Sequence, residues 1–204
     1  MYDISLSYSW FKAGVTLLII WPISTWLTNL MAHKYLTHNI RLPDLIHIST
    51  ERWWKSWRYL SRIKDIVVYL PTFYAIIVLN LFYPYLFDDF TNFMCGIICI
   101  RCLFFSVTIL PTSSDNAHTK GKIERFFFGG CHDLIFSGHV AYYYAALLFL
   151  QYHGLLFRSS LFSLFSTILL SLISIITRDH YTIDILVVFP VVWMWKEYML
   201  TEFN

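Results

Sequence analysis

The chain has 204 residues, 57% hydrophobic and only 14% charged, with a net charge of +2. So few charges cannot cover the surface of a soluble globule of this length, so the expected solvent is a bilayer, and the near-neutral balance excludes nucleic acid as a partner. About six stretches reach the roughly 20 residues needed to cross hydrocarbon, which leaves little chain for a separate soluble domain.

In chain order, the opening "MYDISLSYSWFK" carries one basic residue and no small-residue cleavage site behind a short apolar core. It reads as an interfacial segment over 1–12 that leads into a retained anchor. Spans are expected over 13–31, 66–83, 93–110, 139–156, 161–177 and 183–200. The expected fold is therefore all-α and integral to the membrane, a compact six-transmembrane-helix bundle forming a single domain over 1–204. The link over 33–65 is strongly basic, and its second half, "ERWWKSWRYLSRIKD", sets Trp53, Trp54, Trp57 and Leu60 among cations. That mixture suits a helix lying in the headgroup layer, with aromatics at the boundary and cations near lipid phosphates.

Six spans put the first, third and fifth links on one side of the membrane and both termini on the other. Most of the lysines and arginines fall on the first side, which the charge-bias rule makes cytoplasmic. Three of the four cysteines, Cys95, Cys99 and Cys102, share one span, and Cys131 lies beyond it. This spacing implies neither a disulfide framework nor a metal site.

Two polar clusters stand at span entrances on the same side. In "CHDLIFSGHV", Ser137 and Gly138 immediately precede the fourth span. A serine there can cap the helix, a glycine lets an anion approach the backbone, and the helix start offers amides and a positive dipole end to phosphate. His139 follows in the first turn. In "RDHYTID", His180 and Asp184 are four residues apart. On a helix they share a face, so the carboxylate can hold one imidazole nitrogen while the other points at substrate. Each element alone also fits a satisfied interfacial histidine. Together, two histidines at two helix starts can converge on one phosphorus, one attacking while the other protonates the leaving oxygen. Ionisable groups at the edge of a span are costly and by default mark function.

"DLIFSGH" and "HYTID" resemble the third and fourth signature motifs of the sphingomyelin synthase family, the phosphotransferase branch of the lipid phosphate phosphatase superfamily. "LPD", ending at Asp44, resembles the first motif, and "RCLFFSVTILP", beginning at Arg101, the second. The resemblance runs from about residue 40 to 190. It implies a six-span core that moves a phospho-headgroup from a glycerophospholipid donor to ceramide or diacylglycerol, without metal or other cofactor. The catalytic triad carried over is His139, His180 and Asp184, with His180 forming a phosphohistidine and His139 serving as acid and then base. Arg101, Asp133, Ser137, Gly138, Arg178 and Tyr181 are the expected substrate-binding residues.

One departure concerns headgroup choice: where the family reads Cys-Gly-Asp, this chain has Cys131, His132 and Asp133. The family places its site on the exoplasmic or luminal face of Golgi, endoplasmic reticulum or plasma membrane, opposite to the charge-bias reading. A hydrolase built on the same core is the second reading. Simple phosphatases of the superfamily, however, carry a Lys-x6-Arg-Pro motif that is missing here, and an arginine where this chain has Ser174. A non-catalytic membrane scaffold is the third reading.

Overall fold

The computed structural model describes residues 2–35, 43–52, 57–108, 135–156 and 160–201. Among these residues every regular element is helical and no strand occurs. The first run holds α1 (Tyr2–Val15), a π-helical turn (Thr16–Ile20) and α2 (Trp21–Tyr35). The rest are α3 (Leu45–Ser49), α4 (Arg58–Phe82), α5 (Pro84–Val107), α6 (Gly138–Tyr152), α7 (Ser160–Ile176), α8 (Thr182–Leu186) and α9 (Val188–Thr201).

The expected interfacial segment over 1–12 and the first span thus form one helical run. The π turn stands just before Pro22, a residue with no amide hydrogen to give, and it closes with the amide of Trp21 bonded to the carbonyl of Thr16. The second boundary differs from expectation in the other direction. Residues 58–65, expected to lie in the headgroup layer as part of the basic link, are the first turns of α4, which continues unbroken past residue 66. Trp53 and Trp54 lie outside the described residues.

Helix α6 is apolar almost all round, the pattern of a helix enclosed by protein. It packs against α4, α5, α7 and α9. Val140, Ala141, Tyr144, Ala145, Phe149 and Leu150 are buried along it. Phe149 meets Phe90 edge-on at 5.1 Å and Phe93 at 5.8 Å between ring centroids, aromatic contacts worth about 0.5–1.5 kcal/mol each beyond area burial. Gly96 lets α5 approach α9. A β-carbon there would fall 2.0 Å from the ring of Trp195, whose indole nitrogen donates to the carbonyl of Phe93 at 3.0 Å.

The outward faces invert the usual pattern of a helix in water. On α7, Ser163, Thr167, Ser171 and Ser174 are buried while Leu161, Phe165, Leu169 and Leu172 are exposed. The hydroxyls of Thr167 and Ser174 are satisfied by carbonyls one turn back, at 2.6 and 3.0 Å. In the first run, Thr16, Thr25 and Thr28 turn inward and Leu17, Leu18, Ile23, Trp26 and Leu27 outward. On α4, Ile66, Leu70, Phe73, Ile77 and Leu81 form an exposed stripe opposite buried Val68, Ala75 and Leu79. Among the described residues, two helices are long and apolar enough to cross a membrane, Trp10–Thr28 and Tyr59–Phe82, and Leu161–Ile176 is a shorter apolar helix.

Candidate active site

The second histidine is presented by a turn whose local geometry is readable. Helix α7 ends in a Schellman motif: the amide of Arg178 bonds to the carbonyl of Ile175 and that of Asp179 to the carbonyl of Ser174, both at 3.0 Å. Arg178 sits where glycine is usual, with φ of 59°, a conformation that costs a non-glycine residue about 1 kcal/mol or more. What the arginine adds is a side chain that crosses to α3 and donates to the carbonyl of His47 at 2.9 Å.

The segment ending in "LPD" clamps this turn from the other side. Asp44 caps α3 by accepting from the amides of Ile46 and His47 at 3.0 and 3.2 Å. The same carboxylate accepts from the amide of Thr182 at 2.7 Å and from its hydroxyl at 3.0 Å, so it caps the start of α8 as well. Burial pushes the Asp44 carboxyl up, but the Thr182 and His47 hydrogen bonds outweigh it and hold the group below its ordinary value. His47 Nε2 lies 3.1 Å from the carbonyl of His180. Burial, reinforced by the charge of Arg178, holds the His47 imidazole below its ordinary value despite Asp44 nearby.

The first histidine enters through the start of α6. Ser137 caps the helix as its position in the sequence predicts, its hydroxyl accepting from the amide of Val140 at 3.5 Å. Its own amide donates to the carbonyl of Asp184 at 3.2 Å, which ties α6 to α8. Arg101 reaches this point from α5. Its guanidinium donates to the carbonyl of Phe136 at 3.1 Å and to the hydroxyl of Tyr142 at 3.4 Å, and it stacks over Trp21 at 4.2 Å. Gly138 is what makes room: a β-carbon there would lie 2.5 Å from the guanidinium.

These two entrances face each other, with the rings of His139 and His180 6.0 Å apart between centroids. His180 Nδ1 is 3.6 Å from Oδ2 of Asp184, which also accepts from the amide of Tyr181 at 2.9 Å. Asp184 Oδ1 and His180 Nδ1 are buried with no hydrogen-bond partner among the described residues, and the 3.6 Å contact between the two side chains through Oδ2 is beyond hydrogen-bond length. His139 Nε2 is 3.6 Å from Oδ1 of Asp65, and the ring of Tyr69 lies 6.1 Å from the His139 ring. Beneath them Lys64, its side chain 1% exposed, contacts Asp65 at 3.1 Å and Asp179 at 2.8 Å. Asp179 also accepts from Ser61 at 2.8 Å and Thr177 at 2.7 Å. Burial pushes the Asp179 carboxyl up, but Lys64 and these hydroxyls together hold it below the ordinary range.

Of the residues expected from sequence, His139, His180 and Asp184 are brought together, with Gly138, Ser137 and Arg101 beside them. Tyr181 is buried, its ring packed on His47 at 5.5 Å, and Arg178 is spent at least partly on the His47 carbonyl. Asp133 lies outside the described residues, as do Leu42 and residues 109–111 of the first and second motifs. Sequence reasoning missed the roles of Lys64, Asp65, His47 and Asp179. The signal available was two consecutive charged positions, Lys64 and Asp65, at the edge of an apolar span.

A family model described as PAP2 superfamily C-terminal matches residues 130–199, about a third of the chain, and that stretch contains His139, His180 and Asp184. Members of that superfamily are membrane proteins and are generally enzymes that act on phosphate esters, including those of lipids. Comparison with curated proteins and with solved structures found no match.

Proposed function

We propose that the protein is a six-span lipid phosphotransferase in which His180 attacks the phosphorus of a glycerophospholipid and passes its headgroup to ceramide or diacylglycerol. The observation that carries this reading is the pairing of the two imidazoles, 6.0 Å apart between centroids, with a buried carboxylate behind one of them. The inverted faces of α2 and α7 support the membrane setting, because outward leucines and inward hydroxyls suit a surface where hydrocarbon replaces water. In this reading α5, α6, and α8 with α9 supply three further spans, and the site lies on the face opposite the termini.

With Nδ1 turned to Asp184, Nε2 of His180 is the attacking atom. It forms a bond to phosphorus as the bond to the diacylglycerol oxygen breaks, and His139 gives that oxygen its proton. His139, now neutral, takes the proton of the acceptor hydroxyl. The acceptor oxygen bonds to phosphorus and the N–P bond breaks, which restores His180. The negative charge spread over the phosphoryl oxygens in both steps needs fixed donors. The α6 amides around Gly138 and His139, with the Arg101 guanidinium against them, serve that purpose.

A second reading, hydrolysis, is favoured by one observation: the side chains of His139 and Asp65 are 30% and 50% exposed, so the acid–base side of the site is not closed off by the rest of the chain. The test is to incubate purified protein in detergent with labelled ceramide or diacylglycerol and a panel of phospholipids, and to identify the products by mass spectrometry. Headgroup-bearing ceramide or diacylglycerol is the expected product. Free phospho-headgroup alone establishes the hydrolase, and no turnover with any donor overturns both readings.

A further inference from the structure

We infer that Asp65, at the entrance half of α4, is a positioning residue that orients His139 and compensates its charge during proton transfer. The inference rests on the phosphotransfer reading above and extends it to a carboxylate outside all four sequence motifs. The juxtaposition is direct: Oδ1 of Asp65 lies 3.6 Å from His139 Nε2, and Tyr69, one turn further along α4, sets its ring 6.1 Å from the same imidazole. One face of α4 therefore lines His139.

The carboxylate is held, although it is half exposed. Lys64 contacts it at 3.1 Å, and the same ammonium is anchored by Asp179 at 2.8 Å, whose carboxylate also binds Ser61 and Thr177. Asp179 immediately precedes His180, so one buried lysine fixes both the carboxylate beside His139 and the chain that presents the nucleophile. Charge bookkeeping points the same way. Lys64, Asp65 and Asp179 carry one surplus negative charge between them, and the protonated imidazole of His139 completes the balance. Among the described residues, His180 with Asp184, and Arg101 stacked on Trp21, are further ionisable groups near this space. With Nε2 turned to Asp65, the proton given to the leaving oxygen and later taken from the acceptor passes through Nδ1. The arrangement repeats, from a different helix, the logic by which Asp184 supports His180.

The test uses the full chain in detergent and two donors of the same shape, a natural phospholipid and its analogue with sulfur in place of the oxygen that bridges phosphorus and diacylglycerol. A thiolate leaves without being protonated, so the first half-reaction on the sulfur donor needs no acid. Asp65→Asn is expected to lower kcat on the oxygen donor about 10–100-fold with KM within about twofold. The burst of thiol release from the sulfur donor stays within about twofold of the wild type, and Asp65→Glu recovers part of the loss on oxygen. Equal losses on both donors overturn the inference and make Asp65 structural. Unchanged turnover on both overturns it as well. Asp65→Ser provides the same comparison if the asparagine variant does not fold. Loss of turnover in His180→Ala with full activity in Asp65→Asn defeats this inference alone, whereas a wild type inactive on both donors defeats the phosphotransfer reading along with it.

Discussion

Two histidine–aspartate pairs face each other across the site at the same 3.6 Å separation, yet they sit in opposite surroundings. The pair at the entrance to α8 is sealed, its side chains 6% and 0% exposed, with the carboxylate tied to the backbone of its own turn. The pair joining α6 to α4 is open, at 30% and 50%. Interactions between charges strengthen as water is excluded, so the sealed carboxylate biases the facing ring more strongly than an exposed one would. That suits a nucleophile, whose line of attack must not wander. The open pair is reachable by lipid oxygens and by solvent, which suits a group that must give and take protons. The asymmetry supports the division of roles proposed above.

The comparison breaks first at the sealed pair. Asp184→Asn keeps the shape and removes the charge, and is expected to cost about 10³-fold in kcat, measured by product formation with a saturating donor. A loss no larger than that of Asp65→Asn removes the distinction between the pairs. Next is their shared brace. Lys64→Met leaves Asp179 without its cation, and the protein should lose about 3–5 kcal/mol, read as a lowered thermal unfolding midpoint in detergent. Smaller again is Gly138→Ala, whose methyl displaces a guanidinium held by Phe136, Tyr142 and Trp21. Overpacking of this kind costs about 1–3 kcal/mol, and Gly14→Ala, where a β-carbon meets nothing within 4 Å, is the matched control.

The smallest effect concerns pH. His47 is held below its ordinary 6.5 when folded, so below that value the unfolded chain binds the extra proton and folding becomes less favourable. Asp44 and Asp179 are held below 3.8, and their contribution, present above that value, is lost only as pH falls through the lower folded values. The unfolding midpoint should therefore fall slightly from pH 7 to pH 5, and His47→Gln should flatten that slope. An unchanged slope in the variant assigns the decline to another group.

Much of the site was legible in sequence because its parts are local. Ser137 caps α6 from the position immediately before it, and His180 and Asp184 are in contact as expected, although His180 lies in the bend before α8 and not on the helix. What was not legible depends on long-range pairing. Asp44 meets Thr182 across 138 residues and Lys64 meets Asp179 across 115, and nothing in either neighbourhood marks its partner. The boundary of α4 was misplaced for the same reason. Cations and an aspartate at residues 62–65 read as interfacial because hydropathy falls there, but Lys64 is buried by its ion pairs and the helix runs on. Arg101 reads as a phosphate ligand within a span, and its stacking on Trp21, across 80 residues of chain, is not announced by composition.

The most direct test of the central claim is chemical capture of the intermediate. Wild-type protein mixed with a phosphorus-labelled phospholipid, without acceptor, is quenched in alkali, where an N–P bond survives, and the label is mapped by tandem mass spectrometry. The account predicts the phospho-headgroup on His180 and no label in His180→Ala. Turnover that proceeds with no adduct on His180, or with the label on another residue, contradicts it.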